Sequence, residues 1–132
     1  MSAPITSIYA ALGAVLILAL GLNVSIHRRT RGIGLGEGAH GELCRVVRAH
    51  ANTVEYLPLA LLLLLLLEVN GTAAWLLHAF GAALIGARIG YAQGLLTHGP
   101  GVSLGRFLGT LVTWSVMAAT ALMLLWRAMF GA

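Results

Sequence analysis

Apolar and polar positions alternate along this chain in blocks rather than at short period. A first apolar run extends from about Ile5 to Ile26 and gives way to His27-Arg28-Arg29-Thr30-Arg31. The segment from Gly32 to Gly41 carries five glycines in ten residues and reads as a loop. A second run spans about 42–69, with a leucine-rich stretch at its centre, and ends at Asn70-Gly71, where Gly suits a left-handed cap and Thr72 can cap the next helix. The third covers about 73–96, the turn Thr97-His98-Gly99-Pro100-Gly101 follows, and the fourth covers about 103–130. A membrane helix needs about 20 mostly apolar residues. The blocks therefore predict an all-α integral membrane protein, a single domain over 1–132 folded as a four-helix up-down bundle. Short connections make consecutive helices antiparallel neighbours.

Composition sharpens this picture. Of the 132 residues 59% are hydrophobic and 9% charged, against roughly 25% charged in a soluble domain, so the bilayer is the solvent this surface fits. The start of the chain lacks a basic n-region, and its apolar run is longer than a signal-peptide core; it reads as a retained span. Arg28, Arg29 and Arg31 lie in the first loop and no basic residue lies in the second. The positive-inside rule then puts the first and third loops in the cytoplasm and both termini on the opposite side, with Arg127 dissenting. The basic residues form no extended phosphate-binding surface, which argues against a nucleic-acid partner. Cys44 stands alone and the histidines lack ligand spacing, so no metal site is expected. No serine or cysteine nucleophile stands with a base, and Gly34-x-Gly36-x-Gly38 lacks the Lys-Ser/Thr of a phosphate loop.

The chemistry concentrates in the second span. At about 100° per residue, Arg45, Arg48, Asn52, Glu55 and Tyr56 fall within roughly a third of the helix circumference, and His50 points nearly the other way. Charged groups inside a membrane helix cost a few kcal/mol each, so they face a protein interior or a water-filled cavity. An Arg48–Glu55 ion pair that glues helices together is one account of this stripe. A polar ligand is the other, favoured because the donors outnumber what Glu55 can accept. Pro58 removes the hydrogen bond to the Val54 carbonyl and is expected to bend the helix just past the stripe. In the third span Ala82, Gly86, Gly90 and Gly94 form a small-residue seam for close helix approach, and Arg88 and Tyr91 share the opposite face. Arg106 opens the fourth span, where snorkelling to the headgroups is its simplest role.

The pattern Arg45-x-x-Arg48-Ala49-His50-x-Asn52-x-x-Glu55-Tyr56-x-Pro58 resembles the signature of the MAPEG family, the membrane-associated proteins of eicosanoid and glutathione metabolism, most closely its short bacterial members. The resemblance implies a homotrimer in a bacterial inner membrane, with glutathione as co-substrate bound between subunits on the cytoplasmic side. By position, Arg48, Asn52, Glu55, Tyr56 and Tyr91 would hold the tripeptide from one subunit. Arg28 (or equally Arg29) and His50 would reach it from the neighbour. Arg106 matches the arginine placed beside the glutathione sulfur and would be the catalytic group. Leu95 stands where leukotriene synthases have a second tyrosine. The implied activity is that of a microsomal-type glutathione transferase or peroxidase acting on lipophilic electrophiles or lipid hydroperoxides that arrive from the membrane lipid. Two other readings compete: a non-catalytic lipid-binding member of the same fold, which would not need the Arg48-Asn52-Glu55-Tyr56 set, and a proton-coupled multidrug transporter, in which arginines around Glu55 would hold it ionised and spoil proton exchange.

Overall fold

The computed structural model describes residues 2–36, 41–98, 101 and 103–131. Glu37, Gly38, Ala39 and His40 of the glycine-rich loop, and Gly99 and Pro100 of the turn, lie outside the described residues. Helices are α1 (Pro4–Arg31), α2 (Gly41–Val69), α3 (Ala74–Thr97) and α4 (Leu104–Phe130), and no strand occurs among the described residues.

α1 runs one turn beyond the end of its apolar stretch. The three arginines read as loop from the sequence close the helix instead, where positive charge is favourable at the negative end of the helix dipole. Gly32, at φ 65°, supplies the left-handed cap that stops it. Gly71, at φ 74°, ends α2 in the expected way. Thr72 does not cap α3: Ala73 holds the N-cap position without a side-chain bond, and Thr72 is buried. Pro58 leaves α2 helical on both sides. Ser103 caps α4 by accepting from the Arg106 amide.

The four helices do not form a square. α2 and α3 touch each other and both outer helices, whereas α1 and α4 do not meet among the described residues. α2 and α3 thus form a central pair. α1, α2 and α4 are each long and apolar enough to cross a membrane by length and composition. α3 is long enough, 24 residues or about 36 Å at 1.5 Å per residue. Leu77, Leu84, Ala87, Arg88, Tyr91 and Leu95 on it are buried by protein, so much of its surface faces its neighbours.

Glycines set the α3–α4 spacing. A Cβ on Gly109 would stand 2.6 Å from the Ala87 carbonyl oxygen, and one on Gly105 would stand 2.6 Å from that of Gly90. Backbone rests directly on backbone there. Gly94 joins this contact, but Gly86 and Gly90 have open space where a Cβ would go, so the seam read from the sequence is only partly used within the protomer. At the end remote from the arginine-rich loop, the Glu68 carboxylate accepts from the first-turn amides of Ile5 at 2.9 Å and Thr6 at 2.7 Å. That satisfies two of the helix-start donors of α1. Arg127 donates to the Asn70 carbonyl at 2.6 Å, fastening α4 to the α2–α3 connection rather than only reaching for headgroups. The Tyr9 ring covers Gly81, and its hydroxyl meets Nδ1 of His78 at 3.0 Å.

Candidate functional site

The polar stripe of α2 divides into three environments. Arg45 and Arg48, near the start of the helix, line a cavity of about 380 Å³ between α2, α3 and α4. Tyr91 and Leu95 of α3 and Arg106 of α4 complete its wall, and Cys44 borders it. Three guanidinium groups therefore surround one space, inside the size range of about 300–1,000 Å³ typical of small-molecule sites. Arg106 donates from Nη1 to the Gly101 carbonyl at 2.7 Å, which anchors the side chain at the cavity wall.

Asn52 and Tyr56, one and two turns further along, face Arg88. This arginine is 1% exposed. It donates to Oδ1 of Asn52 at 2.8 Å and to the Gly109 carbonyl at 2.7 Å. Its guanidinium carbon lies 5.7 Å from the centre of the Tyr56 ring and 5.2 Å from that of Tyr91, within cation–π range. Gly109 permits the bond to its carbonyl because the absent side chain lets α4 lie against Ala87 and Tyr91. One guanidinium thereby ties α2, α3 and α4 together directly beneath the cavity. Arg88 was not among the site residues expected from the sequence. Its signal was present, a charged residue sharing a face with Tyr91, but its partners lie on two other helices.

Glu55 and Arg48 are exposed on the protomer surface. The ion pairs formed among the described residues join Glu42 to Arg31 and to His27; Arg48 and Glu55 do not pair with each other. The helix-glue account of the stripe is thus not what the protomer adopts. His50 turns away from the cavity and packs on α1, with Nε2 3.4 Å from where a Cβ on Gly21 would be. Arg28 donates to the Gly34 carbonyl at 3.4 Å and, with Arg29, lines a separate cavity at the end of α1. One protomer therefore brings Arg48, Tyr91 and Arg106 to the cavity, holds Asn52 and Tyr56 around Arg88 below it, and leaves Glu55, His50 and Arg28 outside.

A second cavity, of about 390 Å³, adjoins the first along α4. Phe107, Leu111 and Trp114 give it apolar walls, with Thr110 among them, and it shares Tyr91 and Arg106 with the arginine cavity. Phe107 and Trp114 are more than half exposed, at 57% and 54%, so this side opens on the surface of the protomer. No metal-binding cluster occurs among the described residues.

The MAPEG family model matches residues 6–126. The chain is similar to "Inner membrane protein YecN" of Escherichia coli strains K12 and CFT073, at 30% identity over 122 residues, covering 92% of this chain and 91% of the relative.

Proposed function

The chain belongs to the MAPEG family, and on that basis we propose that it is a glutathione-dependent transferase or peroxidase of a bacterial inner membrane, acting on lipophilic electrophiles or lipid hydroperoxides. One observation carries the reading: a cavity walled by Arg45, Arg48 and Arg106 meets an apolar cavity open on the protomer surface, and Arg106 and Tyr91 stand on their common border. An anionic, water-soluble thiol and a membrane-soluble acceptor could each enter from its own phase and meet at that border.

Arginine suits the first half of the task. A guanidinium grips a carboxylate through two parallel hydrogen bonds, and glutathione carries two carboxylates. Arg45 and Arg48 take these charges, and Glu55, outside the cavity of the single protomer, would take the ligand's ammonium group or orient an arginine once a neighbouring copy covers it. Arg106 then serves the sulfur. A free thiol has a pKa of about 8.5, and bringing it to about 7 requires roughly 2 kcal/mol of preferential thiolate stabilisation, which a guanidinium in a partly dry site can supply. In conjugation the thiolate forms a carbon–sulfur bond as the acceptor's leaving group departs with the displaced electron pair. In peroxide reduction it attacks the O–O bond and yields a sulfenic acid and an alcohol; a second glutathione then gives the disulfide and water.

Arg48 and Glu55, exposed within the membrane-spanning part of the protomer, support the homotrimer that the family pattern implies. In this reading a neighbouring copy covers them, and His50 and Arg28 complete the site from that copy. The reading is tested by conjugation of glutathione to a chlorodinitrobenzene. Arg106→Ala is expected to lower turnover at least ten-fold while glutathione still binds. Unchanged turnover in that variant rejects the role given to Arg106.

A further inference from the structure

Arg88 carries more charge than its bonds require. Its Nη1 donates to Oδ1 of Asn52 and its Nη2 to the Gly109 carbonyl, and a neutral side-chain amide also offers two N–H donors. The guanidinium adds a full positive charge, which is costly to hold in a site 1% exposed. Its buried Nε–H has no hydrogen-bond partner. No acid among the described residues offsets the charge: Glu42 is held by Arg31 and His27, Glu68 by the first amides of α1, and Glu55 is exposed on the protomer surface. The Tyr56 and Tyr91 rings compensate only in part. The interior of the bundle thus holds a cation without a counter-charge.

That cation sits one helical turn from the arginine cavity. Asn52 follows the cavity's Arg48 by four residues on α2, and Gly109 follows Arg106 by three on α4. These are axial steps of about 6 and 4.5 Å at 1.5 Å per residue. Tyr91 connects the two levels, since it meets Arg88 and lines both cavities at the border it shares with Arg106. A ligand atom held by Arg106 at that border is on the order of 10 Å from the Arg88 guanidinium, across protein rather than water. At an effective dielectric constant of about 20, a unit charge at that range moves a proton equilibrium by roughly one pH unit.

We propose that Arg88 is a positioning residue for the thiol chemistry: its buried charge, acting across Tyr91, joins Arg106 in holding the bound glutathione sulfur as its anion. The inference rests on the glutathione reading of the cavity. In that reading Arg106 touches the sulfur, whereas Arg88 acts through the field it sets up and the Tyr91 ring it supports. The thiol proton leaves to bulk water, and the anion left behind offsets the buried cation. The fork to Asn52 and Gly109 serves stability and the charge serves the sulfur, so substitutions can separate the two.

The test follows the ultraviolet absorbance of the thiolate while glutathione bound to the detergent-purified protein is titrated with base, beside calorimetric binding and a thermal melt. Wild type is expected to give a midpoint below the free-thiol value of about 8.5. Arg88→Gln removes the charge and is expected to raise the midpoint by about one pH unit, which is about ten-fold less thiolate at a fixed pH well below it. Arg88→Lys keeps the charge and loses the fork, so its midpoint should stay with that of wild type while its melting temperature falls. Asn52→Asp keeps the bond to Arg88 and pairs the charge with a carboxylate that the guanidinium holds ionised. Its midpoint should rise without loss of thermal stability, which provides the result even where Arg88→Gln does not fold. An unchanged midpoint in Arg88→Gln or Asn52→Asp, or an Arg88→Lys midpoint that moves as far as that of Arg88→Gln, overturns the inference and leaves the glutathione reading in place. A wild type that binds glutathione with the thiol still titrating near about 8.5 also overturns it. A wild type that does not bind glutathione overturns the cavity reading and this inference together.

Discussion

A guanidinium at the centre of a membrane bundle costs several kcal/mol unless its donors and its charge are met. The two terminal nitrogens of Arg88 are met by an amide oxygen and a helix carbonyl and its charge by two aromatic faces, while its buried Nε–H has no hydrogen-bond partner and no carboxylate is among its described contacts. Its worth therefore lies in what it joins. Arg45 and Arg48 on one side of the cavity and Arg106 on the other are carried by helices that Arg88 bridges. Replacing it by methionine would strand the Asn52 amide oxygen and strip a bond from the Gly109 carbonyl. At about 1–3 kcal/mol for each unsatisfied buried group, Arg88→Met is expected to lower the melting midpoint clearly. Arg88→Lys, whose single ammonium cannot reproduce the two-sided fork, should fall between. A thermal melt of the detergent-purified variants decides this: an Arg88→Met midpoint equal to wild type would mean that Arg88 does not clamp the helices. Little of this could be read from the chain itself. The 100° rotation per residue places Arg88 beside Tyr91 on one helix, but Asn52 and Gly109 stand 36 and 21 positions away, and nothing local links them.

Elements were more legible, because a bilayer imposes both length and apolarity on whatever crosses it. The positions of all four helices followed from that pattern, and errors fell where side-chain chemistry or tertiary burial outweighs it. α1 overran its apolar run because basic residues suit a helix end. The glycine repeat of α3 was visible, but which glycines touch a neighbour was not. The structure puts the close approach at Gly94, Gly105 and Gly109 and leaves Gly86 clear. Adding one methyl at Gly109 would push against the Ala87 carbonyl and the Tyr91 backbone, neither of which can swing aside. Overpacking of this kind costs about 1–3 kcal/mol. Gly109→Ala is thus expected to lower stability by that amount and to disturb the Arg88 bond to the same residue, whereas Gly86→Ala should stay within about 1 kcal/mol of wild type. Denaturation of both variants in one detergent checks the contrast, and equal effects would contradict the assigned contact.

At the scale of the whole molecule, the arginines of α1, the start of α2 and the start of α4 gather at one end of the bundle, and the other end is closed by single charged groups on backbone, Glu68 on the α1 amides and Arg127 on a carbonyl. That polarity was evident in the charge pattern. The separation of the α2 stripe into a cavity wall, a clamp partner and an exposed flank was not, since it depends on how α3 and α4 pack beside it. We propose that the three cavity arginines receive a small multivalent anion, glutathione. Ligand linkage tests it most directly: a compound that binds only the folded state stabilises it by about 2.7 kcal/mol at a hundred times its dissociation constant. Titrating glutathione against the melting midpoint of the purified protein is expected to give a saturable rise of several degrees that Arg48→Ala abolishes. A midpoint unmoved by millimolar glutathione, in wild type and Arg48→Ala alike, would contradict the account.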